Sequence, residues 1–177
     1  MSKQGLTHIY FGDGKGKTTA ALGLALRAAG CGKKVAVIQF LKDWKCGELD
    51  SLSRLENVTL IRVRPFGGKL IFDMDDDEKS SLKFDQDECF KRAVELHKNG
   101  DCELLVLDEA IDAYQLGVLD KIMFEDLLNN KPEPLELVIT CHKPDAWMLD
   151  KADYVTEMVK HKHPFDEGIQ ARHGIEF

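Results

Sequence analysis

The chain has 177 residues, of which 44% are apolar and 31% charged, and its formal net charge is −7. This composition is typical of a globular protein, and the length suits a single domain with one core over residues 1–177. An acidic protein is not expected to bind nucleic acid in general, because such binding depends on neutralising phosphates with Lys and Arg. Apolar runs are too short to cross a membrane and the N-terminus shows no signal-peptide pattern, so we expect a cytoplasmic protein.

Strand-like and helix-like patterns alternate along the chain. An apolar run at residues 6–11 ends in a glycine-rich turn, and a helical pattern follows from Lys17 to about Ala29. Further apolar runs lie at Val35–Phe40, Val58–Val63, Leu104–Leu107 and Leu137–Ile139, and further helical patterns at about Phe84–Lys98, Lys121–Asn129 and Pro144–Lys151. Because the strand runs are apolar throughout rather than alternating, we expect a mostly parallel sheet with helices on both faces, an α/β fold.

Two stretches have no clear periodicity, Lys42–Asn57 and Pro65–Lys83. The second contains an acidic run at residues 73–78, which we interpret as an exposed loop because runs of like charge are usually solvated. The five cysteines are scattered and form no Cys-x-x-Cys pair, so we expect reduced thiols.

The strongest functional signal is Gly12-Asp13-Gly14-Lys15-Gly16-Lys17-Thr18-Thr19, between a strand and a helix. Glycines let backbone N–H groups face an anion, and the N-terminus of the following helix favours negative charge. Lys17 would pair with the outer phosphates and the Thr18 hydroxyl would bind Mg²⁺. The match to the usual G-x-x-x-x-G-K-[ST] pattern is imperfect, because its first position falls on Phe11 and the glycine follows at Gly12.

A second signal is the pair Asp108-Glu109, which follows the apolar run Leu104–Leu107. Ligands of open α/β sheets bind at the carboxyl ends of the strands, where these two carboxylates would lie. One or both would hold the metal, directly or through water, and the sequence leaves open which. The alternative is structural: Asp108 would cap a helix whose first turn contains Glu109.

Together the two signals predict a site for Mg²⁺ and a nucleoside triphosphate. The candidate nucleotide-binding residues are Gly12 to Thr19 and the candidate metal ligands are Thr18, Asp108 and Glu109, with Lys17, Thr18 and Glu109 as candidate catalytic residues. Such a site does not select a reaction. A phosphotransferase or ATPase and a non-catalytic ATP-binding module both remain open.

The C-terminal stretch His163–Phe177, together with the glycine-rich loop, Val37–Lys42 and Ala152–Met158, resembles the P-loop class of ATP:corrinoid adenosyltransferases. The resemblance covers nearly the whole chain. It implies a single RecA-like P-loop domain that uses ATP as a co-substrate with Mg²⁺, forms a homodimer, and depends on a flavoprotein or reduced flavin as electron donor.

The chemistry that the resemblance implies is alkyl transfer. A Co(I) corrinoid attacks C5′ of the ATP ribose, a Co–C bond forms and triphosphate leaves. Arg27 lies on the first helix, which the sequence predicts to be mostly buried. By similarity it would reach the nucleotide, and the alternative is an ion pair with a helix carboxylate. Many relatives have Thr-Gly-Arg after the fifth strand where this chain has Thr140-Cys141-His142-Lys143, so His142 or Lys143 would replace that Arg. Trp44 and Trp147 suit either a wall of the corrin site or ordinary packing.

Overall fold

The computed structural model describes residues 4–44 and 46–176. Six strands alternate with helices along the chain. The strands are β1 (Thr7–Phe11), β2 (Val35–Gln39), β3 (Val58–Arg62), β4 (Leu104–Asp108), β5 (Glu136–Thr140) and β6 (Tyr154–Glu157). The α-helices are α1 (Lys17–Gly30), α2 (Gly47–Leu52), α3 (Asp76–Lys98), α4 (Ala110–Gln115), α5 (Lys121–Asn129) and α6 (Ala146–Leu149), with 3₁₀ turns at Ile71–Asp73 and Pro164–Glu167.

The strands form one sheet in the order β3-β2-β4-β5-β1-β6, and every neighbouring pair is parallel. The predicted α/β class is confirmed. The order places β5 between β1, which precedes the glycine-rich loop, and β4, which ends at Asp108. All three strands therefore deliver their carboxyl ends to the same edge of the sheet.

Apolar side chains fill both faces of the sheet. On β4, Leu104 and Val106 pack with α1, while Leu105 and Leu107 pack on the opposite face with Phe90 of α3. Successive strand residues point to opposite faces, so a strand buried on both sides must be apolar at every position. This explains the continuous apolar runs of the sequence.

Helix α3 begins eight residues before the predicted Phe84, so the interpretation of the acidic run as a loop was wrong for its second half. Asp75 is the N-cap: its carboxylate accepts a hydrogen bond from the Glu78 N–H, and the Glu78 side chain accepts one from the Asp75 N–H. This reciprocal capping box satisfies two backbone donors, and acidic side chains are favoured beside the positive end of a helix. The acidic run is therefore a helix start.

Short elements were also missed in the sequence, namely α2, α4 and the exposed edge strand β6. The five cysteines are unpaired, as expected. Within residues 4–44 and 46–176, no helix is both long enough and apolar enough to cross a membrane.

Candidate nucleotide and metal site

The glycine-rich loop connects β1 to α1 and lies against the segment that follows β6. The Gly12 N–H donates to the carbonyl of His142 at 2.9 Å and the Gly14 N–H to the carbonyl of Met158 at 2.7 Å. A Cβ atom at Gly14 would lie 2.6 Å from that Met158 oxygen, and one at Gly12 would clash with it as well. Gly12 and Gly16 also have φ values of 114° and 117°, which other residues rarely adopt.

The side chain of Lys17 lies over this loop. Its Nζ donates to the carbonyl oxygens of Gly12, at 2.7 Å, and Gly14, at 3.0 Å. Lys17 is also the first residue of α1, so its charge lies beside the N-terminus of a 14-residue helix. The loop, the helix N-terminus and the ammonium group together form a site suited to a polyphosphate.

Asp108 lies at the end of β4, is fully buried and accepts hydrogen bonds from four side chains. Its Oδ1 accepts from the hydroxyls of Thr18 (2.8 Å) and Thr140 (2.7 Å). Its Oδ2 accepts from Lys42 Nζ (2.7 Å) and, at a longer 3.4 Å, from Gln39 Nε2. Residues from α1, β2, β5 and the loop after β2 thus converge on one carboxylate. The bond to Thr18 joins the two sequence signals in a single site.

Glu109 lies beside Asp108 with fewer protein partners. Its carboxylate is 3.1 Å from Lys42 Nζ, and its side chain is 24% exposed. Burial raises the pKa of Glu109, with Lys42 opposing the shift. For Lys42, burial disfavours the charge, but Asp108 and Glu109 outweigh it and raise the pKa to about 12. Lys42 is therefore a buried cation between two carboxyl groups.

The backbone at Glu109 is held in an unusual conformation. Its φ of 64° is left-handed, and its N–H donates to the Thr140 hydroxyl at 2.9 Å. Glu109 is the N-cap of α4 but makes no side-chain capping bond, and Asp108 is engaged with its four donors. The structural alternative, in which Asp108 caps the helix, was therefore wrong. Left-handed backbone at a non-glycine residue is held in place by its surroundings, and here Thr140 provides that support.

A cavity of about 360 Å³ opens beside the loop, within the range of small-molecule sites. Its wall combines residues from α1, the loop after β2 and the C-terminal segment, among them Thr18, Thr19, Lys42, Trp44, Ile175 and Glu176. The C-terminal segment lies against the loop because Lys15 Nζ contacts Glu176 Oε1 at 3.3 Å. Trp44 thus lies at the site, whereas Trp147 packs against the core. The last residue of the C-terminal motif, Phe177, lies outside the described residues.

The remaining predicted nucleotide-binding residues, Asp13, Thr19 and Arg27, lie in different surroundings. Asp13 is exposed and accepts a hydrogen bond from the Lys160 N–H, which lowers the pKa of Asp13. Thr19 is exposed on the cavity wall. Arg27 lies in the last turn of α1 and is exposed, so the prediction of a buried arginine was wrong. At 1.5 Å per residue it is about 15 Å along the helix from Lys17, and the structure does not bring it to the site.

Three functional candidates were missed in the sequence, namely Gln39, Lys42 and Thr140. They lie at or just after the ends of β2 and β5, where polar residues follow apolar runs. A polar residue at or just after the end of an apolar run was the sequence feature that could have identified them, because the carboxyl ends of parallel strands lie at one edge of the sheet. His142 also lies at this edge, where its carbonyl accepts a hydrogen bond from the Gly12 N–H. Its ring Nδ1 is 3.2 Å from the carboxylate of Asp112.

The oxygen atoms of Thr18, Asp108 and Glu109 fit a magnesium ion. All three groups already surround one cation, Lys42 Nζ, at 3.2, 2.7 and 3.1 Å. Mg²⁺ binds oxygen ligands, commonly one or two carboxylates together with waters and substrate phosphates. Within the part of the chain that the structure describes, no group of three or more His, Cys, Asp or Glu residues could hold a metal by itself.

The parallel sheet, the glycine-rich loop with its lysine, and the carboxylate on a nearby strand define a P-loop nucleotide-binding domain. Residues 3–177 match the family model of the ATP:corrinoid adenosyltransferases BtuR/CobO/CobP, and the chain belongs to this family. It is therefore an enzyme that transfers an adenosyl group from ATP to a corrinoid.

Curated relatives carry the same description. The corrinoid adenosyltransferase of Escherichia coli strain K12 is 33% identical over 183 residues, which cover 100% of this chain and 88% of that protein. The enzyme of Pseudomonas aeruginosa strain PAO1 is 32% identical, with 99% and 85% covered. Corrinoid adenosyltransferase CobA of Salmonella typhimurium strain LT2 is 32% identical, with 100% and 88% covered.

A solved structure with the same fold is the cytoplasmic domain of EssC, with a TM-score of 0.54 and 16% identity. The similarity covers 98% of this chain and 37% of that one. At this identity the similarity concerns the fold alone.

Proposed function

We propose that the loop holds the triphosphate of ATP as a leaving group while a Co(I) corrinoid attacks C5′ of the ribose. The electron pair of cobalt forms the new Co–C bond, the bond between C5′ and O5′ breaks, and its electron pair leaves with the triphosphate. Cobalt is formally oxidised from Co(I) to Co(III). The nucleophile belongs to the substrate, so the protein has to position C5′ and stabilise the charge on the departing group.

The observation that carries this proposal is the direct bond between Thr18 and Asp108, at 2.8 Å. This bond joins the end of the glycine-rich loop to the carboxylates, which supports one shared site for the triphosphate and Mg²⁺. Lys17 and the first N–H groups of α1 would hold the triphosphate, and charge-assisted hydrogen bonds of this kind contribute about 1.5–3 kcal/mol each.

Thr18 and Glu109 are the proposed direct ligands of Mg²⁺, with Asp108 behind them. Asp108 has both oxygens occupied by protein donors, whereas Glu109 is partly exposed and contacts Lys42 alone among the described contacts of its carboxylate. Asp108 would then orient Thr18, as second-shell carboxylates orient metal ligands. When bound, Mg²⁺ supplies positive charge next to the departing triphosphate.

Phosphoryl transfer fits the site less well. A hydrolase needs a free carboxylate or amide to orient water, but Asp108 is held by four protein donors and Glu109 is a proposed ligand of Mg²⁺. Phosphoryl transfer also commonly uses an arginine against the transferred group. Among the described residues, Arg62 donates to the backbone of Lys42 and Trp44, Arg64 pairs with Asp85 and Arg172 pairs with Glu176.

Product analysis tests the proposal. The protein is incubated without oxygen with Mg-ATP and a chemically reduced corrinoid. Triphosphate and a light-sensitive alkylcobalt product are expected in equal amounts. ADP with phosphate, or a phosphorylated acceptor, would instead indicate the phosphotransferase or ATPase alternative, and unconsumed ATP a non-catalytic module.

We further propose, from family membership, that the protein acts as a cytoplasmic homodimer supplied with electrons by a flavoprotein or free reduced flavin. The mass in solution tests the dimer. Replacing the chemical reductant with reduced flavin in the same product assay tests the donor.

A further inference from the structure

Lys42 makes a set of contacts that a simple ion pair does not require. Its Nζ lies 2.7 Å from Asp108 Oδ2, 3.1 Å from Glu109 Oε1 and 3.2 Å from Thr18 Oγ1. Its side chain is 11% exposed, so the ammonium group lies inside the site rather than at its rim. One cation therefore contacts both proposed Mg²⁺ ligands, Thr18 and Glu109, as well as Asp108 behind them.

The main chain on both sides fixes this position. Leu41, the preceding residue, has a left-handed φ of 56°, and its N–H donates to the Gln86 side chain at 3.3 Å. The carbonyl of Lys42 accepts from Arg62 at 2.8 Å. Gln86 is fully buried, and Arg62 lies on the neighbouring strand β3. A backbone anchored at two points directs the side chain of Lys42 toward the carboxylates.

Neutralising Asp108 does not explain all of these contacts. Asp108 also accepts hydrogen bonds from Thr18, Thr140 and Gln39. To neutralise its charge, Lys42 would need only its single contact with Asp108 Oδ2. Lys42 additionally contacts Glu109 and Thr18. These are the groups that have to be released before a divalent ion can bind at the 2.0–2.1 Å that Mg²⁺ requires. Two cations this close repel, so the ammonium and the metal exclude each other.

We propose that Lys42 is an internal cation that occupies the metal position while no nucleotide is bound, so that the divalent ion enters only together with ATP. The inference rests on the proposed function, which places Mg²⁺ at Thr18 and Glu109. Its consequence is an order of binding: the polyphosphate attracts the ammonium away from the carboxylates and brings the metal with it. Without nucleotide, the protein retains little affinity for the metal alone.

Mn²⁺ binding to the nucleotide-free protein tests this order. Mn²⁺ replaces Mg²⁺ as the probe because the free ion can be measured by its electron paramagnetic resonance signal. The wild-type protein is expected to bind Mn²⁺ weakly. Lys42→Met, which keeps an unbranched side chain one atom shorter and removes its charge, should bind one equivalent at least ~10-fold more tightly, because the ion no longer displaces a charge-assisted hydrogen bond.

Two variants control the measurement. Lys42→Met combined with Glu109→Gln should lose the gain, which shows that the added ion is at this site. Lys34→Met removes another lysine that is 2.7 Å from a carboxylate, Asp101, but in an exposed pair away from the loop. It should leave Mn²⁺ binding as in the wild type.

The inference is overturned if Lys42→Met binds Mn²⁺ no better than the wild type. It is equally overturned if the nucleotide-free wild type binds one Mn²⁺ tightly, a result that requires no variant and so holds even if Lys42→Met does not fold. Failure of the proposed function appears elsewhere, as products other than triphosphate and alkylcobalt. Correct products with tight metal binding by the empty wild type would overturn the binding order alone.

Discussion

Replacing Thr140 with valine tests whether β5 holds the two carboxylates in place. The substitution keeps the side-chain shape and removes one hydroxyl, which donates to Asp108 Oδ1 at 2.7 Å and accepts from the Glu109 N–H at 2.9 Å. Thr140 is 1% exposed, so water cannot readily replace either bond. The two lost hydrogen bonds are made to Asp108 and Glu109, the carboxylate residues of the proposed metal site.

The magnitude follows from the two bonds. Loss of a hydrogen bond to a charged group costs about 1.5–3 kcal/mol, and an unpaired backbone N–H in a partly buried position about 1–3 kcal/mol. The extra methyl group of valine offsets roughly 1 kcal/mol of this by burial. We therefore expect the free energy of unfolding to fall by about 1.5–5 kcal/mol, which lowers the urea midpoint by roughly 0.8–2.5 M for a slope of ~2 kcal/mol per M.

Urea denaturation followed by circular dichroism measures this change, and the corrinoid product assay measures activity below the transition. Adenosyl transfer should fall at least ~10-fold, because Asp108 and Glu109 lose a shared support. Thr156→Val on the exposed strand β6 is the matched control and should stay within ~0.5 kcal/mol of the wild type. If the two threonine variants unfold at the same urea concentration, the bonds to Thr140 do not position the carboxylates.

Four further substitutions probe the loop and the fold. Lys17→Ala should lower adenosyl transfer at least ~10-fold in a folded protein, measured by alkylcobalt formation, and unchanged kinetics would contradict a polyphosphate role for the loop. Gly14→Ala should unfold at lower urea than the wild type because its methyl group would meet the Met158 carbonyl, whereas Gly23→Ala, with open space around it in α1, should gain about 0.5–1 kcal/mol. Asp75→Ala should cost about 0.5–2 kcal/mol by denaturation, and no loss would argue against the capping box of α3.

Sequence patterns predicted the strands that run through the core and the loop that follows β1. These features are local: an apolar run identifies a doubly buried strand, and glycines with a lysine identify a phosphate-binding turn. The start of α3 was missed because its local pattern is ambiguous: an acidic run is both a common loop composition and a favourable helix N-terminus. The Asp75–Glu78 spacing was the feature that distinguished the two.

Arg27 shows where a family resemblance and helix geometry diverge. A position ten residues after Lys17 lies nearly three turns away, at the other end of α1, so sequence proximity to the loop does not place it at the site. Its exposure also shows that α1 is covered on one face only, despite its many alanines. The predicted boundaries of α1 were enough to show that Arg27 lies at the opposite end of the helix from Lys17.

The convergence on Asp108 could not be read from the sequence because it depends on strand order. Gln39, Thr140 and Thr18 are far apart along the chain, and they meet because β4 lies between β2 and β5 and β5 lies beside β1. Another order of the same strands would have placed other side chains around this carboxylate. An apolar run predicts that a strand exists but not which strand lies beside it in the sheet.

The same strand order gives the glycines of the loop a second role. Because β6 pairs with β1, the chain after β6 passes directly over the loop, and the Met158 carbonyl accepts the Gly14 N–H. A side chain at position 12 or 14 would meet that oxygen before it met any phosphate. The glycines are therefore required by the packing of β6 as well as by the anion. A variant that loses activity at these positions consequently reports on both. Lys17 is the better probe of phosphate binding, because its replacement by alanine removes two hydrogen bonds to the loop but introduces no clash with the Met158 carbonyl.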